Sequence, residues 1–281
     1  MNATPERPLE DGGAPMLEVR GLVKQFGPRT VLDDITFKVK QGETLVIMGG
    51  SGCGKSTLLK HLVGVYKPNE GEILWKGKNI VMFSDVELDD YRKRFGILFQ
   101  SGALFNSMSV GDNVALPLRE HSTLDETIIR MVVKIKLEQV GLRGFEDLMP
   151  SQISGGMKKR VGLARAIVMD PEMVFYDEPS AGLDPIVVAV VDQLMKDLSH
   201  KMGITSIVVT HDMTSAFRIA DRMVMLYQGK VIAEGTPKEI RESDDPRVLQ
   251  FIHGSPDGPI PLRQSKGDYL TDLFDVDPGK W

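Results

Sequence analysis

Gly49-Gly50-Ser51-Gly52-Cys53-Gly54-Lys55-Ser56, with Thr57 next, follows the short run Thr44-Leu45-Val46-Ile47-Met48 and leads into a stretch of helix-forming residues. This matches the Walker A pattern G-x-x-x-x-G-K-[ST] in the strand, loop and helix context that the pattern requires. Each residue type has a physical task there. The glycines let consecutive backbone N–H groups converge on phosphate oxygens, and the N-terminus of the following helix adds partial positive charge. Lys55 bridges terminal phosphates and Ser56 offers a hydroxyl to Mg2+, so the loop implies a nucleoside triphosphate and its magnesium ion. Residues 49–57 are therefore nucleotide-binding candidates, with Lys55 also placed in catalysis. An ordinary glycine-rich turn would need neither the apolar strand before it nor the helix after it. Cys53 reads as a small filler of the loop rather than a reactive thiol.

An apolar run such as 44–48 suits a strand buried on both faces, which belongs to a parallel sheet. Outward from it, β-rich runs lie at 17–23 and 31–39, a helix is predicted over 55–63, and strands over 72–75 and 95–99. Strands at 173–176, 205–210 and 223–226 then alternate with helices at 186–198 and 214–220, the rhythm of a parallel sheet with crossover helices. Between 112 and 142 the period is helical. Thr123 and Glu126 form a candidate capping box, and Leu124, Ile128, Met131 and Ile135 recur at three- and four-residue spacing, so this region reads as a helical insertion. Asp184 and Pro185 are the cap and first residue of the long helix, and Thr236-Pro237-Lys238-Glu239 opens a short one. After Ser243, the Pro and Gly of 244–261 are expected to break any long element.

The 281 residues suit one large domain or two small ones, at roughly 150 residues per domain. With 42% hydrophobic and 26% charged residues the chain can fill a core, which excludes global disorder. The balance of 34 Lys+Arg against 39 Asp+Glu, a net charge of −5, is too acidic for a protein that mainly coats nucleic-acid phosphates. No run of 18 apolar residues occurs to cross a bilayer. The opening 15 residues have no apolar stretch of a secretory leader and are expected to form a mobile leader. A single cysteine excludes an internal disulfide framework and a zinc cluster, which fits a reducing cytosol.

The second chemical signal is Met173-Val174-Phe175-Tyr176-Asp177-Glu178-Pro179, an apolar strand ending in two acids. Downstream of a Walker A loop, the first acid can hold the Mg2+ shell and its neighbour can orient and deprotonate an attacking water.

Beyond these two, Ile153-Ser154-Gly155-Gly156-Met157 resembles the signature sequence of the ATP-binding cassette (ABC) family. Gln100 at a strand end resembles that family's Q-loop, Ser180-Ala181-Gly182-Leu183-Asp184 its D-loop, and His211 its switch histidine, while Phe26 sits where the family stacks an aromatic ring on adenine. The ordered set covers residues 17–239. It implies an α/β fold: a P-loop NTPase core of the ABC nucleotide-binding type, with an antiparallel β subdomain and a helical signature subdomain at about 101–168. It also implies ATP and Mg2+ as cofactors, Glu178, His211 and Lys55 in catalysis, Ser56, Gln100 and Asp177 around the metal, and Ser154, Gly155 and Gly156 on a nucleotide. Met157 departs from the usual Gln of the signature and has no side-chain donor. In the family one subunit's signature closes on the nucleotide of another, so a second copy of the chain completes the active site.

One cassette without a membrane span implies a separate integral membrane permease. The stretches 99–105, 112–121, 245–251 and 257–261 resemble the ATPase subunits of the Mla phospholipid transport system. That implies a small cytoplasmic subunit and a lipid-binding subunit as further partners, no nucleic acid, and a place at the cytoplasmic face of the bacterial inner membrane. The corresponding domain plan is a leader over 1–15, the ATPase domain over 16–243 and a C-terminal extension over 244–281 that docks to other subunits. A soluble ABC ATPase, a non-hydrolysing nucleotide switch and an importer ATPase for a small solute remain the alternatives. Ser101 to Phe105, an apolar loop beside Gln100, is the candidate seat for a permease helix.

Overall fold

The computed structural model describes residues 14–261. In chain order its elements are β1 (Leu17–Phe26), β2 (Arg29–Val39), β3 (Thr44–Met48), α1 (Lys55–Leu62), β4 (Glu70–Trp75), β5 (Lys78–Asn79), α2 (Asp85–Arg92) and β6 (Phe95–Leu98). There follow α3 (Val110–His121), α4 (Glu126–Gln139), α5 (Gly155–Ala166), β7 (Met173–Asp177), α6 (Pro185–Met202), β8 (Thr205–Thr210) and α7 (Met213–Ile219). The chain continues through β9 (Arg222–Tyr227), β10 (Lys230–Gly235), α8 (Pro237–Arg241) and α9 (Pro246–His253).

The strands sort into two sheets by their side-chain patterns. Along β2 buried and exposed residues largely alternate, as a strand covered on one face requires, and β2 lies in an antiparallel sheet of order β2-β1-β4-β5. By contrast β3 and β8 are buried at every position and β7 at all but its last, and they lie inside a six-stranded sheet of order β10-β9-β3-β8-β7-β6. All its neighbouring pairs are parallel except the edge pair β9 and β10. Leu45, Ile47, Phe175, Ile207 and Val209 of this sheet share one core with Leu58, Leu59 and Leu62 of α1. Register then sets the position of the chemistry. Met48 pairs with Thr210, Asp177 with Val209 and Leu98 with Tyr176, so the segments that leave β3, β6, β7 and β8 emerge along one carboxyl edge. Open parallel sheets hold their ligands at that edge.

Between β6 and β7 the chain forms α3, α4 and α5, which pack on one another. Two expectations for local structure change here. The cap of α4 is Asp125, whose side chain accepts from Thr127 N at 2.8 Å, and not Thr123. Glu126 is drawn instead to Arg119, whose guanidinium also holds Asp112 at 2.9 Å. The stripe Leu124, Ile128, Met131 and Ile135 is exposed, while Ile129, Val133 and Leu137 are buried. Two apolar rows run along this helix, and only the second faces the packed side. Helix α2 was not anticipated from periodicity, although Ser84 and Glu87 form the reciprocal capping box that announces it.

By its contacts the chain divides into two compact units, residues 1–240 and 241–281. In the second unit Pro246 and Gly254 bound a short helix of 8 residues, and no long element forms there among the described residues. Asp245 caps it through Arg247 N at 2.8 Å, Pro246 occupies the first turn, where its missing N–H costs nothing, and Gly254 closes it at φ 63°. Gln250 then binds the backbone of Ile260 from both ends of its amide, at 2.7 and 3.1 Å. The apolar anchors Tyr269, Leu270, Leu273 and Phe274, and nearly all of the leader, lie outside the described residues. Among the described residues no helix is long and apolar enough to cross a membrane.

Candidate active site at the carboxyl edge of the sheet

The loop from β3 into α1 is shaped by glycines that no other residue could replace without strain. Gly49 has φ 150°, and a Cβ on it would lie 2.3 Å from the Leu226 carbonyl oxygen and 2.8 Å from Cys53 Sγ. Gly54 caps α1 at φ 111°, with Leu32 Cδ2 2.7 Å from where a Cβ would stand. No side chain caps α1, so its first-turn N–H groups stay available to an anion. Ser51, Gly52 and Ser56 are exposed, Gly50 and Thr57 half-buried. Lys55 is buried along its stem, and its ammonium donates to the carbonyls of Gly49 at 2.7 Å and Gly50 at 3.0 Å. Burial pushes the Cys53 thiol upward, away from the thiolate that reactivity needs.

At the end of β7, Asp177 is half-buried; desolvation raises its pKa, the Glu178 charge adds to the rise, and Lys60, Lys159 and Lys55 oppose it. Glu178 is buried and takes a left-handed backbone at φ 49°. Its carboxylate is gripped from the adjacent strand end. Thr210 Oγ1 donates to one oxygen at 3.2 Å, the His211 N–H donates to the same oxygen at 3.3 Å, and His211 Nδ1 lies 2.9 Å from the other. Thus two residues 33 positions apart in sequence form one unit, brought together because β7 and β8 are parallel neighbours. Gln100, just past β6, is exposed and lines a depression with Phe99, Asp177 and Gly182. Ser56, Gln100 and Asp177 supply oxygen donors with a single carboxylate. That suits Mg2+, which keeps much of its shell for water and phosphate oxygens.

Phe26 is exposed at the end of β1, edge-on to Tyr66 at 5.8 Å between centroids, and Tyr66 in turn meets His61 of α1 at 5.7 Å. The ring is therefore tied to the helix that leaves the phosphate loop. Ser154 caps α5, accepting from Met157 N at 3.3 Å; Ser154 and Gly155 are exposed, Gly156 buried. Among the described residues Ser154 makes no hydrogen bond to the phosphate loop, to Asp177 or to Glu178. Ser154 and Gly155 stand exposed at the start of a helix, where first-turn N–H groups lack intrahelical partners.

Four residues that motif reading passed over shape the site. Thr210 was legible only as the polar end of a buried strand. Lys159 is a buried charge on α5, its ammonium 3.0 Å from the Glu178 carbonyl oxygen. Fully buried Asn113 accepts from Phe105 N at 2.8 Å and donates to the carbonyls of Phe105, Met108 and Ser109. Arg165 donates to Gly102 and Ala103 carbonyls, both at 2.8 Å, so Asn113 and Arg165 together clamp the loop after Gln100. That loop and its surroundings form a groove lined by Phe99, Phe105, Leu116, Pro117 and Met169, with Arg92 and Arg165 beside it.

The profile of the ABC transporter family matches residues 32–181. The chain is 47% identical to the intermembrane phospholipid transport system ATP-binding protein MlaF of Haemophilus influenzae, over 92% of this chain and 98% of that one. It is 44% identical to the probable ribonucleotide transport ATP-binding protein mkl of Mycobacterium leprae, over 92% and 75% of the two chains. In structure it is similar to the dimeric post-hydrolysis cassette MJ0796 bound to ADP and Pi, with TM-score 0.73, 31% identity, and coverage of 79% of this chain and 99% of that chain. By the match over residues 32–181 and this likeness along nearly the whole chain, the protein belongs to the ABC transporter family as one of its ATP-binding cassettes.

Proposed function

We propose that this chain is the ATP-hydrolysing subunit of a transporter that moves phospholipid between the inner and outer membranes. The observation that carries the catalytic part is the unit of Glu178, Thr210 and His211 beside the phosphate loop. ATP phosphates lie against the N–H groups of residues 50–57 and Lys55, with Phe26 against adenine. Ser56, Gln100 and Asp177 would hold Mg2+, which would supply positive charge to neutralise the phosphates. Glu178 accepts the proton of the attacking water as its oxygen bonds to the γ-phosphorus and ADP departs. His211 holds the Glu178 carboxylate in place and offers its ring to the same region. The outward-facing cap at Ser154, with Gly155 and Gly156, supports a shared site in which a second copy's signature completes each nucleotide pocket.

Similarity to the Haemophilus influenzae protein supports phospholipid as the cargo. The Mycobacterium leprae relative, named for ribonucleotide transport, makes a different cargo the second reading. The groove at Phe99 and Phe105 supports docking of an integral permease, which would hold the chain peripherally at the cytoplasmic face of the inner membrane. The exposed row on α4 and the C-terminal extension supply surfaces for the small cytoplasmic subunit and for the neighbouring ATPase, with the lipid-binding subunit reached through the permease. The test is reconstitution of the assembled transporter in proteoliposomes with labelled phospholipid. Wild-type ATP turnover should move lipid, and Glu178→Gln should keep ATP bound while losing roughly 10²-fold or more in turnover and all lipid movement. Turnover near wild type in Glu178→Gln would remove the base assignment, and ATP turnover with no lipid movement would remove the cargo.

A further inference from the structure

Lys159 is 4% exposed, and the motifs of the site assign it no task. A buried ammonium is costly unless its charge and its donors are met, so its surroundings matter. Its Nζ donates to the backbone carbonyl of Glu178 at 3.0 Å, and the same oxygen accepts the Ala181 N–H at 3.2 Å. The carboxylates of Asp177 and Glu178 supply the compensating charge.

Glu178 needs such a hold because it keeps a left-handed backbone at φ 49°, a conformation that persists in a non-glycine residue only where its neighbours over-determine it. Its N–H donates to Val209 O at 2.9 Å, and its side chain is held by Thr210 and His211, so these contacts all come from β8 and its end. Among the described residues, Lys159 is the one hydrogen-bond partner of Glu178 that comes from α5. On that helix it stands five residues after the cap Ser154, a rise of about 7.5 Å at 1.5 Å per residue. A rigid helix therefore joins the surface offered to a second copy's nucleotide to the peptide that aims the base.

We propose that Lys159 is a positioning residue for hydrolysis: its hydrogen bond to the Glu178 carbonyl ties the aim of that carboxylate to the place of α5 and hence of Ser154. The inference rests on Glu178 as the base. It separates a hydrogen-bond strut from a mere filler of space, because the donor can be removed at nearly constant side-chain length.

The test uses the assembled transporter with Lys159→Met, which keeps the length and loses the donor, and Lys159→Gln, which keeps a neutral donor. Affinity for ATP, KM and kcat are measured, together with hydrogen exchange of the amides of Glu178, Ser180 and Ala181 in the nucleotide-free protein. For Lys159→Met the expected result is kcat down about 10-fold with KM and ATP affinity within about twofold, and faster exchange at those amides. Lys159→Gln should recover at least about a third of wild-type turnover and slow that exchange again. Wild-type kcat and exchange in Lys159→Met overturns the proposal, as does a loss confined to KM or a Gln variant no better than Met. Should Lys159→Met fail to fold, Lys159→Leu takes its place with the same readouts: a kcat loss with faster exchange that Lys159→Gln reverses supports the strut, and wild-type-like values in Lys159→Leu or a Gln variant no better than Leu overturn it. Full turnover in Glu178→Gln removes the base reading itself, a failure distinct from any result at Lys159.

Discussion

Replacing Thr210 by Val removes one hydroxyl from a fully buried position at nearly constant volume, so its effects report hydrogen bonding rather than packing. Two bonds disappear. The hydroxyl donates to Glu178 Oε2 at 3.2 Å and accepts the Asp212 N–H at 3.0 Å. The first is charge-assisted but long, and the carboxylate keeps both contacts from His211. A loss of about 1.5 kcal/mol of positioning is therefore expected, the low end for a bond to a charged group, and it corresponds to roughly 10-fold in kcat. The second leaves a partly buried N–H short of an acceptor at the start of α7, costing about 1 kcal/mol of stability, or about 2–4 °C in Tm for a chain of this size. Because the Thr210 hydroxyl bonds to Glu178 and Asp212 and to no group of the phosphate loop, ATP affinity should stay within about twofold. Thr210→Ser keeps the hydroxyl and should retain most of the turnover. Steady-state ATPase of the assembled transporter, nucleotide titration and thermal melting measure the three quantities. Wild-type kcat in Thr210→Val would refute the claim that this hydroxyl positions Glu178; a Ser variant as slow as the Val variant would trace the defect to packing instead.

Arg222→Met should lower stability by about 3–5 kcal/mol, because Glu43, fully buried, loses the guanidinium that meets it at 2.7 and 3.1 Å. Burial already pushes the Glu43 carboxyl above the ordinary carboxylate range and Arg222 opposes that rise, so the variant raises it further. A carboxyl with a raised folded pKa is best tolerated below its unfolded value and loses stability as pH climbs through the folded one; the melting deficit of Arg222→Met should therefore shrink on acidification from pH 8 toward pH 5. Gly49→Ala should abolish ATP binding and lower Tm, since its Cβ would stand 2.3 Å from a backbone oxygen; normal nucleotide affinity would contradict the loop geometry. Asn113→Ala strips the 105–109 loop of four hydrogen bonds, and co-purification with the permease should fall while ATP affinity of the isolated chain is kept.

Much of the site was legible in the chain itself because its chemistry is local. A phosphate loop is a strand, a run of glycines and a helix start within 14 residues, and the order of Gln100, Ser154, Asp177 and His211 needs no coordinates to read. Strand type was equally local: continuous burial in Thr44–Met48 and alternation in Arg29–Val39 follow from which faces meet the core. The proline and glycine content after Ser243 announced only short elements, and the cap at Asp245 with Pro246 in the first turn is what starts the eight-residue helix there. For α4 two apolar rows fit one helix, and the choice between them was made by α3 and α5, which bury Val133 and leave Met131 in the open.

The contacts that turn separate motifs into one site belong to tertiary structure alone. His211 and Glu178 meet because β8 lies between β3 and β7, a strand order that no residue near either of them encodes. Thr210, Lys159, Asn113 and Arg165 carry no motif, since a buried polar group acquires its task from whichever backbone group it finds beside it. The sequence by itself determined which chemical groups the protein possesses, because those follow from residue type and short spacing. Which of them share a carboxylate, a carbonyl or a helix was decided by long-range packing, through parallel pairing of strands distant in the chain and burial of the side chains between them.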